Sequence, residues 1–234
     1  MMNTFLRMRR ATTPLLMLAL TAATASADVG NRGAWGDQGD GTFLNPVLPA
    51  DYSDIDAIQV GNDYYAISST LHLSPGMTIL HSRDMVNWTI IGHAVDDVTQ
   101  IGPEMNWDRM NRYGLGVWAG GIRHHDGKFW LYFGAPNEGL FMTTARDPRG
   151  PWEPLTKILD EPGWNDTCPF WDDDGRGYLV TTRFGRDPEN GEHYNIYLFE
   201  LTEDGRGLKM DTRRFLHRSS GSEANQLYKI DGTY

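Results

Sequence analysis

From Ala57 onward the apolar residues fall into short runs rich in aromatic and β-branched side chains, each stopped by Asp, Asn or Gly. Such runs match the two-residue side-chain period of strands closed by tight turns. No stretch keeps a 3.6-residue apolar period between helix caps. The pattern predicts an all-β protein.

The runs also repeat. An apolar strand, an Asp/Gly turn and an aromatic strand recur as AIQVGNDYYAIS from Ala57, GIRHHDGKFWLYF from Gly121, CPFWDDDGRGYLV from Cys168 and QLYKIDGTY from Gln226. The turn residues Asp63, Asp126, Asp174 and Asp231 lie 63, 48 and 57 residues apart. Two units run on into a further strand, a polar turn and a tryptophan, ILHSRDMVNW ending at Trp88 and FMTTARDPRGPW ending at Trp152. Asp63 to Asp84 and Asp126 to Asp147 are both 21 residues. Similar hairpins at this period predict a radial array of small antiparallel sheets, a β-propeller.

The N-terminus follows another pattern. Arg7, Arg9 and Arg10 precede the apolar run Pro14 to Leu20, and Ala25-Ser26-Ala27 supplies small residues for cleavage, so residues 1–27 read as a secretory signal peptide cut after Ala27. The run falls short of the ~20 apolar residues that span a bilayer. Residues 28–44 form a lead-in and 45–234 the propeller. Secretion to a periplasm or medium is the expected destination. The single Cys168 offers no internal disulfide.

Composition adds a limit on partners. The whole chain carries a formal charge of −10, and loss of the leader's three arginines makes it −13. Nucleic acid and anionic membranes require a positive face, so neither is expected as a partner. A neutral ligand suits this balance, and oligomeric state is left open.

In a propeller the first strand of each blade runs along the axis, where equivalent positions converge. Four residues before the first apolar residue of each such strand (Ile58, Ile122, Phe170, Leu227) stand Asp54, Trp118, Asp166 and Glu223. Carboxylates crowded at an axis raise one another's pKa, which makes acids an odd choice there unless they are used. Three acids and an aromatic wall suit glycoside cleavage, which needs a proton donor for the leaving oxygen and an ionised carboxylate on the other face of the sugar. A third acid can keep the donor protonated.

At these residues the sequence resembles glycoside hydrolase family 43, the inverting β-xylosidases and α-L-arabinofuranosidases built on a five-bladed β-propeller. The likeness is carried by NPVLPADYSDIDAIQVGNDYY, GVWAGGIRHHDGKFWLYF, WNDTCPFWDDDG and SEANQLYKIDG, in order at blade spacing, with SSTLHLSPGMTILHSRDMVNW adding a match to the xylosidase-like branches. It implies Asp54 as general base, Asp166 as pKa modulator and positioner, Glu223 as general acid and Trp118 lining the substrate. Leu71 stands where a sugar-lining aromatic is common. Other departures are Ile55-Asp56 for Pro-Ser after the base, Thr167 for a proline after Asp166, and Gly120 for a proline after Trp118-Ala119. The implied substrate is a neutral xylan or arabinoxylan oligosaccharide, cleaved at a terminal pentose by single displacement. No cofactor is required, and whether calcium sits in the axial channel is left open. Five blades at the observed period need about 280 residues, so the expectation is a C-terminally truncated propeller of about three blades and the opening hairpin of a fourth.

Other features have plainer readings. Asp172-Asp173-Asp174-Gly175 lacks EF-hand spacing and falls where a hairpin turn is needed. His124-His125 should point to opposite faces of a strand, which disfavours joint metal ligation. Arg146-Asp147-Pro148 lies in the repeated strand-turn-tryptophan unit and reads as structural, and Cys168 reads as a small buried hydrophobe. Two other functions stay open: a retaining fructan-type propeller hydrolase, and a non-catalytic or degenerate sugar-binding propeller.

Overall fold

In the segment KFWLYFGA every second residue is apolar on each of two faces, so a strand built from it can be covered on both sides. In the computed structural model, which describes residues 36–192 and 194–234, this segment is a strand with both faces buried. The signal-peptide residues lie outside the described part.

Three four-stranded antiparallel sheets follow in chain order. The first is β1 (Ser53–Val60), β2 (Asp63–Ser69), β3 (Gly76–Ser82) and β4 (Thr89–Val95). The second is β5 (Gly120–His125), β6 (Lys128–Ala135), β7 (Gly139–Ala145) and β8 (Thr156–Leu159). The third is β9 (Trp164–Trp171) and β10 (Gly177–Arg183), then, beyond a small ribbon of β11 (Arg186–Asp187) and β12 (Gly191–Glu192), β13 (Tyr194–Leu201) and β14 (Leu208–Ser219). Each sheet adds strands in sequence order from its first strand outward, as the repeated hairpin plan predicted. These sheets are blades of a propeller.

The cores lie between blades. Phe129, Leu131, Phe133 and Ala135 of β6 join Ile67, Met77 and Ile79 of the first blade in one buried cluster. Trp130 and Tyr132, the alternate residues of β6, join Trp164, Leu179, Tyr197 and Phe199 of the third blade in another. The two-residue period thus directs one strand into two cores.

The repeated turns are built alike. Asp84 accepts the backbone N–H groups of Val86 and Asn87 at 2.9 and 2.7 Å, and Asp147 accepts that of Arg149 at 2.9 Å. The tryptophan that closes each unit donates its indole N–H back into its own turn, Trp88 to the Met85 carbonyl and Trp152 to that of Pro148. Arg146-Asp147-Pro148 is part of such a turn. The Asp172–Gly175 run forms the β9–β10 turn, and Lys229 Nζ reaches Asp172 and Asp173 at 2.6 and 2.8 Å. His124 packs on Phe129 and His125 stacks on Trp171, on opposite faces of β5.

After β14 the chain returns to the axis. At the hairpin expected around Asp231-Gly232, Ile230 and Thr233 form an antiparallel bridge across the turn.

Candidate active site

The residues singled out by counting back from each first strand meet in space. Asp54, Leu71, Trp118, Asp166 and Glu223 line a single cavity of about 430 Å³, together with Asp56, Gly120, Asn165, Asn225 and Gln226.

The strands deliver the two aspartates in the same way. The β1–β2 register slips between Ser53 and Asp56, and the β9–β10 register slips where Asn165 and Cys168 pair with Thr182 and Val180. Each slip is a bulge with one extra residue, a device that re-aims a side chain. Asp54 and Asp166 sit in these bulges with φ of 56° and 51°. A left-handed residue leaves the strand's up-and-down alternation, so its carboxyl is freed from the sheet face. Leu71 and Ala224, also on the cavity, have φ of 56° and 57°. Non-glycine residues in this region carry strain of about 1–3 kcal/mol each, and such strain gathers at functional sites. Here four of the nine such residues among those described share one cavity.

The three carboxyls have different surroundings. Asp54 and Glu223 are exposed, and Ser53 Oγ donates to Asp54 Oδ2 at 3.1 Å. Asp166 is buried at 6% exposure. Asn165 Nδ2 donates to its Oδ1 at 2.8 Å and the Ala224 N–H to its Oδ2 at 2.9 Å. Burial drives the Asp166 carboxyl up to about 6; the Ala224 N–H opposes this, and the negative charges of Glu223 and Asp54 add to it. The Ala224 contact also ties the segment carrying Glu223 to the strand carrying Asp166. Asn225 reinforces the tie, with Nδ2 2.7 Å from Thr182 Oγ1.

Trp118 is fixed at both ends. Its indole N–H donates to the Gly114 carbonyl at 3.0 Å and its ring stacks on Phe184 at 5.9 Å. Leu71 and Val117 exchange backbone hydrogen bonds, which puts Leu71 beside the same wall. Gly120 and Gly121 follow because the strands crowd here. A Cβ on Gly121 would lie 2.4 Å from the Thr167 carbonyl oxygen and 2.6 Å from Pro169 Cδ.

Sequence reasoning missed the polar groups beneath the cavity. Asp56 Oδ2 accepts the Ile122 N–H at 2.8 Å and Arg123 Nη1 at 2.7 Å. Arg123 Nη2 also meets Cys168 Sγ and Gln226 Oε1, both at 3.0 Å. Cys168 is fully buried, as expected, and burial raises its thiol, yet it also accepts the Leu227 N–H at 3.2 Å. The one available signal was periodicity: Asp56 and Cys168 each stand two residues beyond an axial acid. Among the described residues no group of three or more His, Cys, Asp or Glu is arranged to hold a metal ion.

Comparison with known proteins gives these residues a context. Residues 43–234 match the family described as Glycosyl hydrolases family 43. A beta-xylosidase of Formosa agariphila is 40% identical over 253 residues, an alignment covering 98% of this chain and 41% of that protein. A non-reducing end alpha-L-arabinofuranosidase of Bacteroides ovatus is 36% identical over 115 residues, 47% of this chain and 21% of its own. Among solved structures, the xylan beta-1,4-xylosidase from Bacillus halodurans C-125 superposes with a TM-score of 0.66 at 29% identity, over 80% of this chain and 37% of that one. The chain thus spans about two fifths of the length of the beta-xylosidase it matches.

Proposed function

The chain belongs to glycosyl hydrolase family 43, and on that premise we propose that the protein removes terminal pentose units, xylosyl or arabinofuranosyl, from xylan-type oligosaccharides by a single displacement with inversion. The observation that carries this reading is the meeting of Asp54, Asp166, Glu223 and Trp118 on one cavity. A pentose is neutral, which suits a chain of net charge −10, and its C–H face suits the Trp118 ring.

In this reaction Asp54 takes a proton from a water as that water attacks the anomeric carbon. Glu223 gives its proton to the glycosidic oxygen, so the bond from that carbon to the leaving sugar breaks as the bond to the water oxygen forms. Inversion requires the two carboxyls to stand ~6.5–9.5 Å apart, leaving room for the water. Asp166, held by Asn165 Nδ2 and the Ala224 N–H, positions the segment that carries Glu223. Residues 45–234 carry the catalytic cavity in this proposal, and export through the N-terminal leader delivers it to polysaccharide outside the cytoplasm.

The test is sugar release by the full-length protein from aryl β-xyloside and aryl α-L-arabinofuranoside, with the anomer formed first read by NMR. Inversion on at least one substrate is expected. Asp54→Asn should lower turnover by about a thousandfold while sparing sugar binding. A retained anomer, or wild-type turnover in Asp54→Asn, overturns the mechanism.

A further inference from the structure

Each of the three carboxyls sits on a different axial segment: ladder hydrogen bonds fix those of Asp54 and Asp166 within their own blades, and side-chain bonds hold that of Glu223 against the third blade. The spacing between proton taker and proton giver therefore depends on whatever joins the blades at the axis. One side chain joins all of them. Arg123, on β5, places Nη1 2.7 Å from Asp56 Oδ2, two residues beyond Asp54. Its Nη2 lies 3.0 Å from Cys168 Sγ, two residues beyond Asp166, and 3.0 Å from Gln226 Oε1, three residues beyond Glu223. Nη1 also donates to the Ile122 carbonyl of its own strand at 2.6 Å.

We propose that Arg123 is the positioning residue that sets the relative placement of Asp54, Asp166 and Glu223. A guanidinium is planar and offers five donors in a fixed fork, so partners that satisfy it are held at fixed angles to one another. The Arg123 side chain is only 16% exposed and its Asp56 partner 6%, so water competes little for these bonds. Other contacts run between neighbouring segments, Ile122 N–H to Asp56, Thr167 Oγ1 to the Tyr132 carbonyl, Ala224 N–H to Asp166 and Leu227 N–H to Cys168, but each joins only two of them, whereas the guanidinium bonds to all three acid-bearing segments at once. Arg123 is absent from the cavity lining, so its influence on a bound sugar passes through the strands it joins. A misplacement of about 1 Å between reacting groups can cost a hundredfold in rate.

The inference rests on the hydrolase reading above, and the wild-type arm separates the two: a full-length wild type that releases no pentose removes that reading before any variant is compared, and this inference with it. Arg123→Lys keeps a cation opposite the buried Asp56 but cannot span four partners. In the full-length protein it is expected to lower kcat by about tenfold or more with KM nearly unchanged, at a melting temperature close to wild type. A purely structural role would lower the melting temperature and leave kcat per folded molecule intact. Should Arg123→Lys fail to fold, Cys168→Ala and Gln226→Leu each cut a single arm of the joint, and each is expected to lower kcat with little change in KM. Folded Arg123→Lys with wild-type kcat, or both single-arm variants with wild-type kcat, overturns the assignment.

Discussion

A carboxyl taken out of water beside two others titrates late, and Asp166 offers a direct measure of how far its surroundings disfavour charge. Its carboxyl ionises near pH 6 in the fold against an ordinary 3.8, with burial the main cause. Between those values the folded chain holds a proton that the unfolded chain has released. The stabilisation is complete below pH 3.8 and is lost as pH rises through 6, an effect of about 3 kcal/mol. Asp166→Asn resembles the protonated form at every pH. Urea denaturation at pH 4, 5.5 and 7 should therefore show the wild type losing stability relative to Asp166→Asn as pH rises, and parallel curves would refute the shift. Asp54, Trp118, Asp166 and Glu223 were legible because strand starts can be counted. Arg123 was not, since in GIRHHDG it looks like any half-exposed strand cation. Its partners Asp56 and Cys168 lie 67 and 45 residues away, and only the closing of the blades brings them together.

At the level of strands, the hairpins of all three blades were readable from alternation and turn residues. The two bulges were not, because a slip of one residue depends on which strand pairs alongside, as with Asp166 against β10. The tight meeting of β5 with β9 was equally hidden, although the Gly120-Gly121 pair marks it in retrospect. Gly121→Ala would drive a methyl to 2.4 Å from the Thr167 carbonyl oxygen, next in sequence to Asp166. Backbone cannot yield as a flexible side chain can, so a loss of about 2–3 kcal/mol is expected, read as a lowered denaturation midpoint. Pentose release should fall further than the unfolded fraction explains, because relief of the clash displaces Asp166. Activity strictly proportional to folded protein would show that β9 absorbs the methyl elsewhere.

For the whole molecule, the period of the repeats announced the radial arrangement, and charge limited the class of ligand. The leader reading makes a separate prediction. Expressed with its N-terminus intact in a secreting bacterial host, the protein should be recovered outside the cytoplasm beginning at Asp28, which intact mass and N-terminal sequencing would check. What the repeats did not reveal is where the apolar interior lies, since alternation says which residues share a face but not which neighbour covers it. Because Phe129, Leu131 and Phe133 belong to one cluster and Trp130 and Tyr132 to another, the middle sheet shares its interior with the sheet on either side. Cut out alone, the middle sheet would be greasy on both sides. A single excised sheet of this kind should therefore associate with its own copies in water rather than stay monomeric, since only a second sheet can hide its flanks.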